Sequence, residues 1–252
     1  AGTAYNTTGF FSYKTMQYAY LKQSWESFSG SLLLMNNGFQ EFDTNSDADG
    51  VSNLQTLGTH LNYKKGSFGA AFNGFIQTGK RQGEVDVKGA HLLGLDFTFK
   101  ASPKVSLGAG IEIISGNDGD SGETGAFFPL YGTNHKFNGF MDYFYVGNHA
   151  NSIGLVDIHV SANFKLSEAS SLMVKALNFS GEQDLPSGEN ALGTEIDIVF
   201  KRKFKGYALV AGYSQMFASD GMYELKGITE DAAASGQNWA WAMLVIKPKF
   251  IN

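Results

Sequence analysis

The sequence contains no cysteine, only 4 proline residues and only two arginines, Arg81 and Arg202, in a chain of 252 residues. Without cysteine, neither a disulfide framework nor a thiolate site can form. Proline cannot donate a hydrogen bond to a strand ladder, so its scarcity suits long, uninterrupted strands.

The sequence also lacks any run of about 18 consecutive apolar residues, so it predicts no transmembrane helix. Strands are then the only elements with which this chain could cross a bilayer. The first residues, AGTAYNTTG, have none of the charged and apolar regions of a signal peptide, and we interpret the chain as mature, as a fragment, or as not exported. A net charge of −5, with the two signs interspersed, argues against a nucleic-acid partner.

The abundant residue types favour an all-β protein. The chain has 31 Gly, 21 Phe and 11 Tyr, a mix typical of long strands and aromatic girdles. The clearest pattern is a hairpin over residues 85–114, with a turn at 101–104. In its first arm one parity is mostly apolar and consists of Val85, Val87, His91, Leu93, Leu95, Phe97 and Phe99. This period of two predicts a strand with one apolar face.

The same alternation predicts about eleven strands of membrane-spanning length. They cover 14–23, 28–38, 53–63, 68–77, 85–100, 105–114, 153–165, 171–179, 191–201, 207–217 and 238–250. Tight turns are expected at 24–27, 64–67, 101–104, 167–170 and 202–206, and longer loops between the hairpins. Short turns that alternate with long loops are typical of outer-membrane barrels.

The polar parity carries charges that a dry core would not tolerate. They are Asp86, Lys88, Glu112, Asp157, Lys165, Glu195 and Asp197. Burial of each unpaired charge would cost several kcal/mol, whereas a water-filled lumen would solvate them all. We therefore predict an antiparallel transmembrane β-barrel with lipid against the apolar rows and water against the polar rows.

The segment 115–152 is too irregular for a simple strand, and we interpret it as a long central loop, with folding into the lumen as one possibility. Bacterial single-chain barrels normally have an even number of strands, so an odd count needs an explanation. Either residues 1–252 are the C-terminal portion of a larger barrel domain, or the central loop hides a twelfth strand around 136–146.

The segment FFPLYGTNHKFNGFMDYF at 127–144, together with MQYAYLKQSW, LLLMNNGFQ, LQTLGTHLNYKKG and the final strands, resembles the alginate export family of outer-membrane barrels, in particular Bacteroidota-type members. The resemblance covers essentially the whole chain, aligned with the family's C-terminal portion. It implies a monomeric barrel of about sixteen to eighteen strands that passes a polysaccharide or another hydrophilic solute passively. Polyuronate-carrying members are rich in arginine, and this chain departs from that pattern.

One loop has the spacing of a calcium site. Oxygen-bearing side chains recur at every second position in Asp43, Asn45, Asp47 and Asp49, as in calcium-binding loops. Counted from Asn45, however, Thr56 stands where such loops place a bidentate Glu. A Ca²⁺ ion in the loop 43–50 is therefore one reading, and a solvated loop with Asx turns is the favoured one. We expect no other cofactor.

Several polar residues are candidates for the path of a solute. They are Lys88, Glu112, His135, Lys136, Asn138, Asp142, Asp157, His159, Lys165 and Lys175. Those of the central loop could form a constriction or could hold the loop to the wall. Asp157, His159 and Ser161 share a strand face, but their spacing is poor for a catalytic triad, and we expect a lumen network rather than an enzyme. Trp239 and Trp241 are interpreted as part of an interfacial girdle.

The expected function is a porin-like channel of the Gram-negative outer membrane, in contact with lipid and lipopolysaccharide. A plugged barrel that serves as a scaffold in an envelope complex is the alternative. A missing N-terminal portion of the same barrel, or other envelope proteins, would be its protein partners.

Overall fold

Alternating apolar and polar side chains arrange the chain as one antiparallel sheet in the computed structural model, which describes residues 13–118, 122–133, 136–149, 152–229 and 237–248. The strands are β1 Thr15–Ser24, β2 Phe28–Phe42, β3 Ala48–Lys65, β4 Phe68–Arg81, β5 Val85–Ser102, β6 Val105–Ile114, β7 Glu123–Thr124, β8 Leu155–Lys165, β9 Ser170–Ser180, β10 Ala191–Phe204, β11 Tyr207–Ala218 and β12 Gln237–Ile246. A 3-10 turn covers Val146–His149, and the helix α1 covers Asp220–Lys226.

Each long strand pairs antiparallel with the long strand that precedes it in the chain, in the order β1 to β6 and then β8 to β12. The two-residue strand β7 lies beside β5 and pairs with it in parallel. This architecture confirms the predicted antiparallel all-β fold. Over the described residues the sheet is open, with β1 and β12 as its edge strands. The strand number of the closed barrel stays a prediction.

The two faces of the sheet differ sharply. The outer face carries large apolar side chains that no part of the described chain covers, such as Leu34, Ile76, Phe99, Ile158, Val160 and Phe217, each more than half exposed. The inner face carries polar residues and the central loop. The buried apolar core lies between the inner face and this loop, where Leu54, Ile114, Leu177 and Phe179 pack with Phe127, Phe128 and Phe144 of the loop.

A β-bulge in β5 changes which side chains of this strand face outward, and one predicted row of side chains is therefore wrong. Gln77 pairs with Ala90, but Gly79 pairs with Val87, so β5 gains one residue at Lys88–Gly89. The extra residue reverses the parity, and Val87 becomes 97% buried against the core instead of facing outward. Val85 shares this inner parity, so the predicted inward position of Asp86 is also wrong.

The closing strand requires a second correction. Trp239 pairs with Ser214 and Trp241 with Gly212, and Ser214 is a fully buried inner-face residue. Both indole rings therefore lie on the inner side of the sheet, at 6.0 Å from each other. They are not part of an outward girdle.

The loops differ from prediction in three places. Strands β2 to β5 extend further than the alternation indicates, because polar residues continue the ladder, and this shortens the loops near 43–47 and 82–84. Residues 136–145 form turns and bends, so the hypothesis of a twelfth strand at 136–146 is wrong. The loop after β11 contains α1, which the sequence analysis does not predict. No helix in the described parts of the chain is long and apolar enough to cross a bilayer.

Candidate functional site

Polar residues meet on the inner face because the strand register places them in rows across β5 to β10. One row joins Asp96, Gly110 and His159 and continues to Glu195 through Leu177. The next row joins Gly94, Glu112 and Asp157. A cross-strand row brings side chains within contact distance although they are far apart in the chain.

His159 lies between two carboxylates. Its Nε2 is 3.0 Å from Asp96 Oδ1, and its Nδ1 is 3.3 Å from Asp157 Oδ1. Gly110 lies between Asp96 and His159 in the row. A Cβ on Gly110 would be 2.5 Å from the Asp96 carboxylate and 2.6 Å from His159 Nε2. The contact across this position therefore requires the absence of a side chain.

Asn138 connects the central loop to this row. Its amide nitrogen donates to Glu112 at 2.9 Å and to Asp157 Oδ2 at 3.3 Å. Both acceptors are inner-face carboxylates, and Asn138 itself is 94% buried. One loop amide thus holds two wall carboxylates together, each of which would otherwise be less completely hydrogen-bonded.

Glu195 provides a second attachment. Its Oε1 accepts the backbone N–H groups of Phe140 at 2.6 Å and Met141 at 3.0 Å. Gly139 precedes them with a φ of 88°, and a Cβ there would be 2.5 Å from the Glu195 carboxylate. The loop therefore approaches the wall closely at a backbone conformation that glycine adopts without strain.

Further contacts hold both ends of the loop. The Gln77 amide donates to the Phe128 carbonyl at 2.7 Å and accepts its N–H at 2.8 Å. Lys226 of α1 donates to the Tyr143 carbonyl at 2.8 Å. His149 lies 3.2 Å from the Phe144 carbonyl through Nε2. The loop is thus fixed to β4, β6, β8, β10 and α1.

Burial controls the protonation of His149 in this loop. Desolvation lowers the pKa of His149 to about 4, against the opposing hydrogen bond to the Phe144 carbonyl, and the nearby Lys226 cation lowers the pKa further. The imidazole is therefore neutral near pH 7. Burial also lowers the pKa of Lys226 from its ordinary value.

The structure assembles only part of the predicted path. Glu112, Asn138, Asp157 and His159 lie together, and Lys175 lies one row away, opposite Asp197. Lys88 instead pairs with Glu123, and Lys165 pairs with Glu168 at a tight turn. Lys136 stacks over the Phe137 ring at 4.8 Å. Asp142 lies in the loop with a φ of 55°, and His135 is outside the described residues.

His159 and Ser161 share the inner face, as their parity indicates. Over the described residues no hydrogen bond joins them, and both His159 nitrogens contact carboxylates instead. This arrangement does not activate the Ser161 hydroxyl as a nucleophile.

The calcium prediction remains untested. Asp43 Oδ1 accepts the N–H groups of Asn45 at 2.9 Å and Asp47 at 2.8 Å, which is an Asx turn. Asp49 lies in β3 rather than in the loop. In the described segments no group of three or more His, Cys, Asp or Glu side chains is close enough to hold a metal ion.

Four site residues are not predicted from the sequence: Asp96, Glu195, Gly110 and Gln77. Parity places Asp96, Glu195 and Gln77 on the polar side of their strands, so their orientation is readable. Their meeting depends on register across several strands and on loop contacts, for which a single sequence carries no signal. Gly110 carries no sequence signal of its own, since glycine is frequent throughout the chain.

The fold is similar to that of solved structures. Pseudomonas aeruginosa OccK10 (OpdN) matches with a TM-score of 0.58 and 16% identity, over 93% of this chain and 62% of that one. Acinetobacter baumannii OccAB4 matches with a TM-score of 0.56 and 15% identity, over 92% of this chain and 54% of that one. Pseudomonas aeruginosa OccK5 (OpdH) matches with a TM-score of 0.53 and 10% identity, over 91% of this chain and 58% of that one.

These neighbours are outer-membrane porins, and the described sheet shares the antiparallel arrangement of their strands. The chain spans between 54% and 62% of their lengths. No family model matches the chain, and no curated protein sequence does. The comparisons do not point to the alginate export family, and that resemblance stays a prediction.

The close approach across Gly110 can be tested by one methyl group. We expect Gly110→Ala to separate Asp96 from His159, because the new Cβ would overlap both. Imidazole ¹⁵N spectra of the five histidines, assigned with His159→Gln, should show changed His159 shifts. Gly94→Ala is the matched control, because its Cβ would meet its nearest atom at an ordinary 3.5 Å. Unchanged His159 shifts in Gly110→Ala would contradict the contact.

The Glu195 attachment predicts how easily the loop is cleaved. Glu195→Ala leaves the N–H groups of Phe140 and Met141 without their acceptor, at a cost of about 1–3 kcal/mol. Trypsin should then cut after Lys136 about tenfold faster or more. The control is Glu168→Ala, because the Glu168 side chain is 93% exposed at a turn. Equal cleavage rates in the two variants would refute the attachment.

The buried His149 predicts a pH dependence. The pKa of His149 in the folded state lies below its ordinary value of 6.5, so the unfolded chain takes up a proton first as the pH falls. The stability that the packed neutral ring contributes is therefore complete above about pH 6.5 and is lost as the pH falls toward about 4. The loss is on the order of 3 kcal/mol. It is measured as the difference in urea unfolding free energy between the wild type and His149→Gln at each pH. His60→Gln is the control; a pH-independent difference for His149→Gln would show that the ring titrates normally.

Proposed function

We propose that this chain forms most of the wall of an outer-membrane channel that passes a hydrophilic solute passively. The observation that supports it is the opposition of the two sheet faces. Large apolar side chains cover the outer face without any cover from the described chain, while the inner face carries the carboxylates and amides of the site beside an apolar core that the central loop covers. Only a wall between hydrocarbon and water suits both faces at once.

The outer face is too large and too apolar for water. Apolar surface exposed to water costs about 25 cal/mol per Å², and soluble monomers rarely expose patches beyond a few hundred Å². The long strands have 10 to 18 residues, and a tilted strand needs about 9–11 to cross a bilayer. Lipid and lipopolysaccharide are the partners that we propose for this face.

The edge strands imply a larger wall. In hydrocarbon every backbone N–H and C=O needs a partner, so the free edges of β1 and β12 must be paired in the membrane. We propose that further strands close the barrel, either from an N-terminal portion of the same protein or from another envelope protein. The greater length of the solved neighbours supports this proposal.

The accessible inner-face charges favour a cation over an anion. The Asp96 side chain is 45% exposed, beside positions where Gly94, Gly108 and Gly110 leave room. The Lys175 cation lies near the buried Asp197 carboxylate, which offsets its charge. The resemblance to the alginate export family supports a polysaccharide as the solute, but these carboxylates would repel a polyuronate.

A second candidate is a plugged barrel that acts as a scaffold. The observation that favours it is the number of attachments between the central loop and the wall, which leave Asp157 and Glu195 at most 2% exposed. A loop held at this many points could close the lumen.

Conductance in a planar bilayer separates these functions. We expect the closed barrel, with the strands that pair with β1 and β12 present, to carry current and to prefer K⁺ over Cl⁻ in a salt gradient. Asp96→Asn should reduce this preference measurably, because it removes an exposed carboxylate of the path. Glu168→Gln, at an exposed turn, is the matched control. A correctly folded protein without current would favour the scaffold, and an unchanged preference in Asp96→Asn would remove that residue from the path.

A further inference from the structure

A cavity of about 680 Å³ lies between the central loop and the inner face of β1 to β6. The sheet contributes Met16, Tyr18, Leu33, Met35, Phe75 and Leu92, and the loop contributes Phe127, Tyr131, Phe137, Phe144 and Tyr145. Small-molecule sites are concave, mostly apolar and about 300–1,000 Å³ in volume. This cavity has the size and the lining of such a site.

The lining is unusual for a path of hydrophilic solutes. Aromatic and aliphatic side chains dominate it, and two methionines give it adaptable walls. Most of its polar groups are already engaged. Gln77 exchanges two hydrogen bonds with the Phe128 backbone, and the Tyr131 hydroxyl accepts from Asn37. His149, neutral near pH 7, lies against a carbonyl.

Glu112 is the exception. Among the cavity-lining residues that the structure describes, it is the sole Asp, Glu, Lys or Arg. Over the described residues its carboxylate accepts one side-chain hydrogen bond, from the neutral Asn138, and no Lys or Arg lies within ion-pair distance. A carboxylate in apolar surroundings is costly without a countercharge. A positively charged group in the cavity would provide one.

We propose that this cavity binds an organic cation with an apolar body, with its charge near Glu112 and its body among the aromatic rings. The exposed faces of Tyr18 and Tyr131, 66% and 51% exposed, add attraction for a cation through their ring electrons. This binding site goes beyond the proposed channel, because binding in the cavity does not require conduction.

The test is calorimetric titration of the purified chain in nonionic detergent with three water-soluble probes. Benzyltrimethylammonium carries both the charge and the apolar ring. Tetramethylammonium keeps the charge without the ring, and phenylacetate keeps the ring with the opposite charge. We expect saturable binding of benzyltrimethylammonium, binding of tetramethylammonium weaker by about tenfold, and no saturable binding of phenylacetate.

Two variants identify the site. Glu112→Gln retains the shape of the side chain and an acceptor for Asn138, so the variant should fold. Its affinity for benzyltrimethylammonium should be about tenfold lower than that of the wild type. Glu168→Gln makes the same change of charge at an exposed turn that does not line the cavity, and its affinity should stay within about twofold of the wild type. Equal binding of phenylacetate, no binding of any probe, or an equal loss in both variants would overturn the proposal. Because no current is measured, this result is independent of the conductance experiment.

Discussion

The structure depends on one constraint, the strict alternation of side chains along a strand. Outside a β-bulge, successive residues face opposite sides of the sheet, so a strand with apolar residues at every second position must separate two environments. In this chain the alternation continues over strands of up to 18 residues, far longer than most soluble strands need. The apolar outer face, the polar inner face and the position of the central loop all follow from it.

The inner face shows what the sheet gains from the loop. Carboxylates such as Asp157 and Glu195 would be costly in a dry interior, yet loop amides and backbone N–H groups hydrogen-bond them. The loop, in turn, has few regular backbone partners of its own and takes them from the wall. Each therefore satisfies polar groups of the other. This reciprocity explains how a segment with so little secondary structure stays packed against the sheet.

Much of the fold could be predicted from the sequence, because alternation is a local property. Each of the eleven predicted long strands is present, several of them longer than predicted, and β6 agrees with prediction at both ends. The failures have a common physical origin. The bulge at Lys88–Gly89 inserts one residue without changing the apolar pattern around it, and it reverses the row of Val87. The tryptophans of β12 look like a girdle by composition, while their pairing with Ser214 and Gly212 turns them inward. The meeting of Asp96 with His159 depends on cross-strand register, which local pattern does not encode.

The connectivity of the sheet has a consequence for its origin. Since every long strand pairs with its neighbour in sequence, the hairpin is the unit of construction, and an added hairpin would replace only the ladder at its point of insertion. Contacts between neighbours also keep loop closure inexpensive during folding. A wall of this kind can change its circumference by gene duplication or deletion of single hairpins, while the loop that crosses its interior is retained.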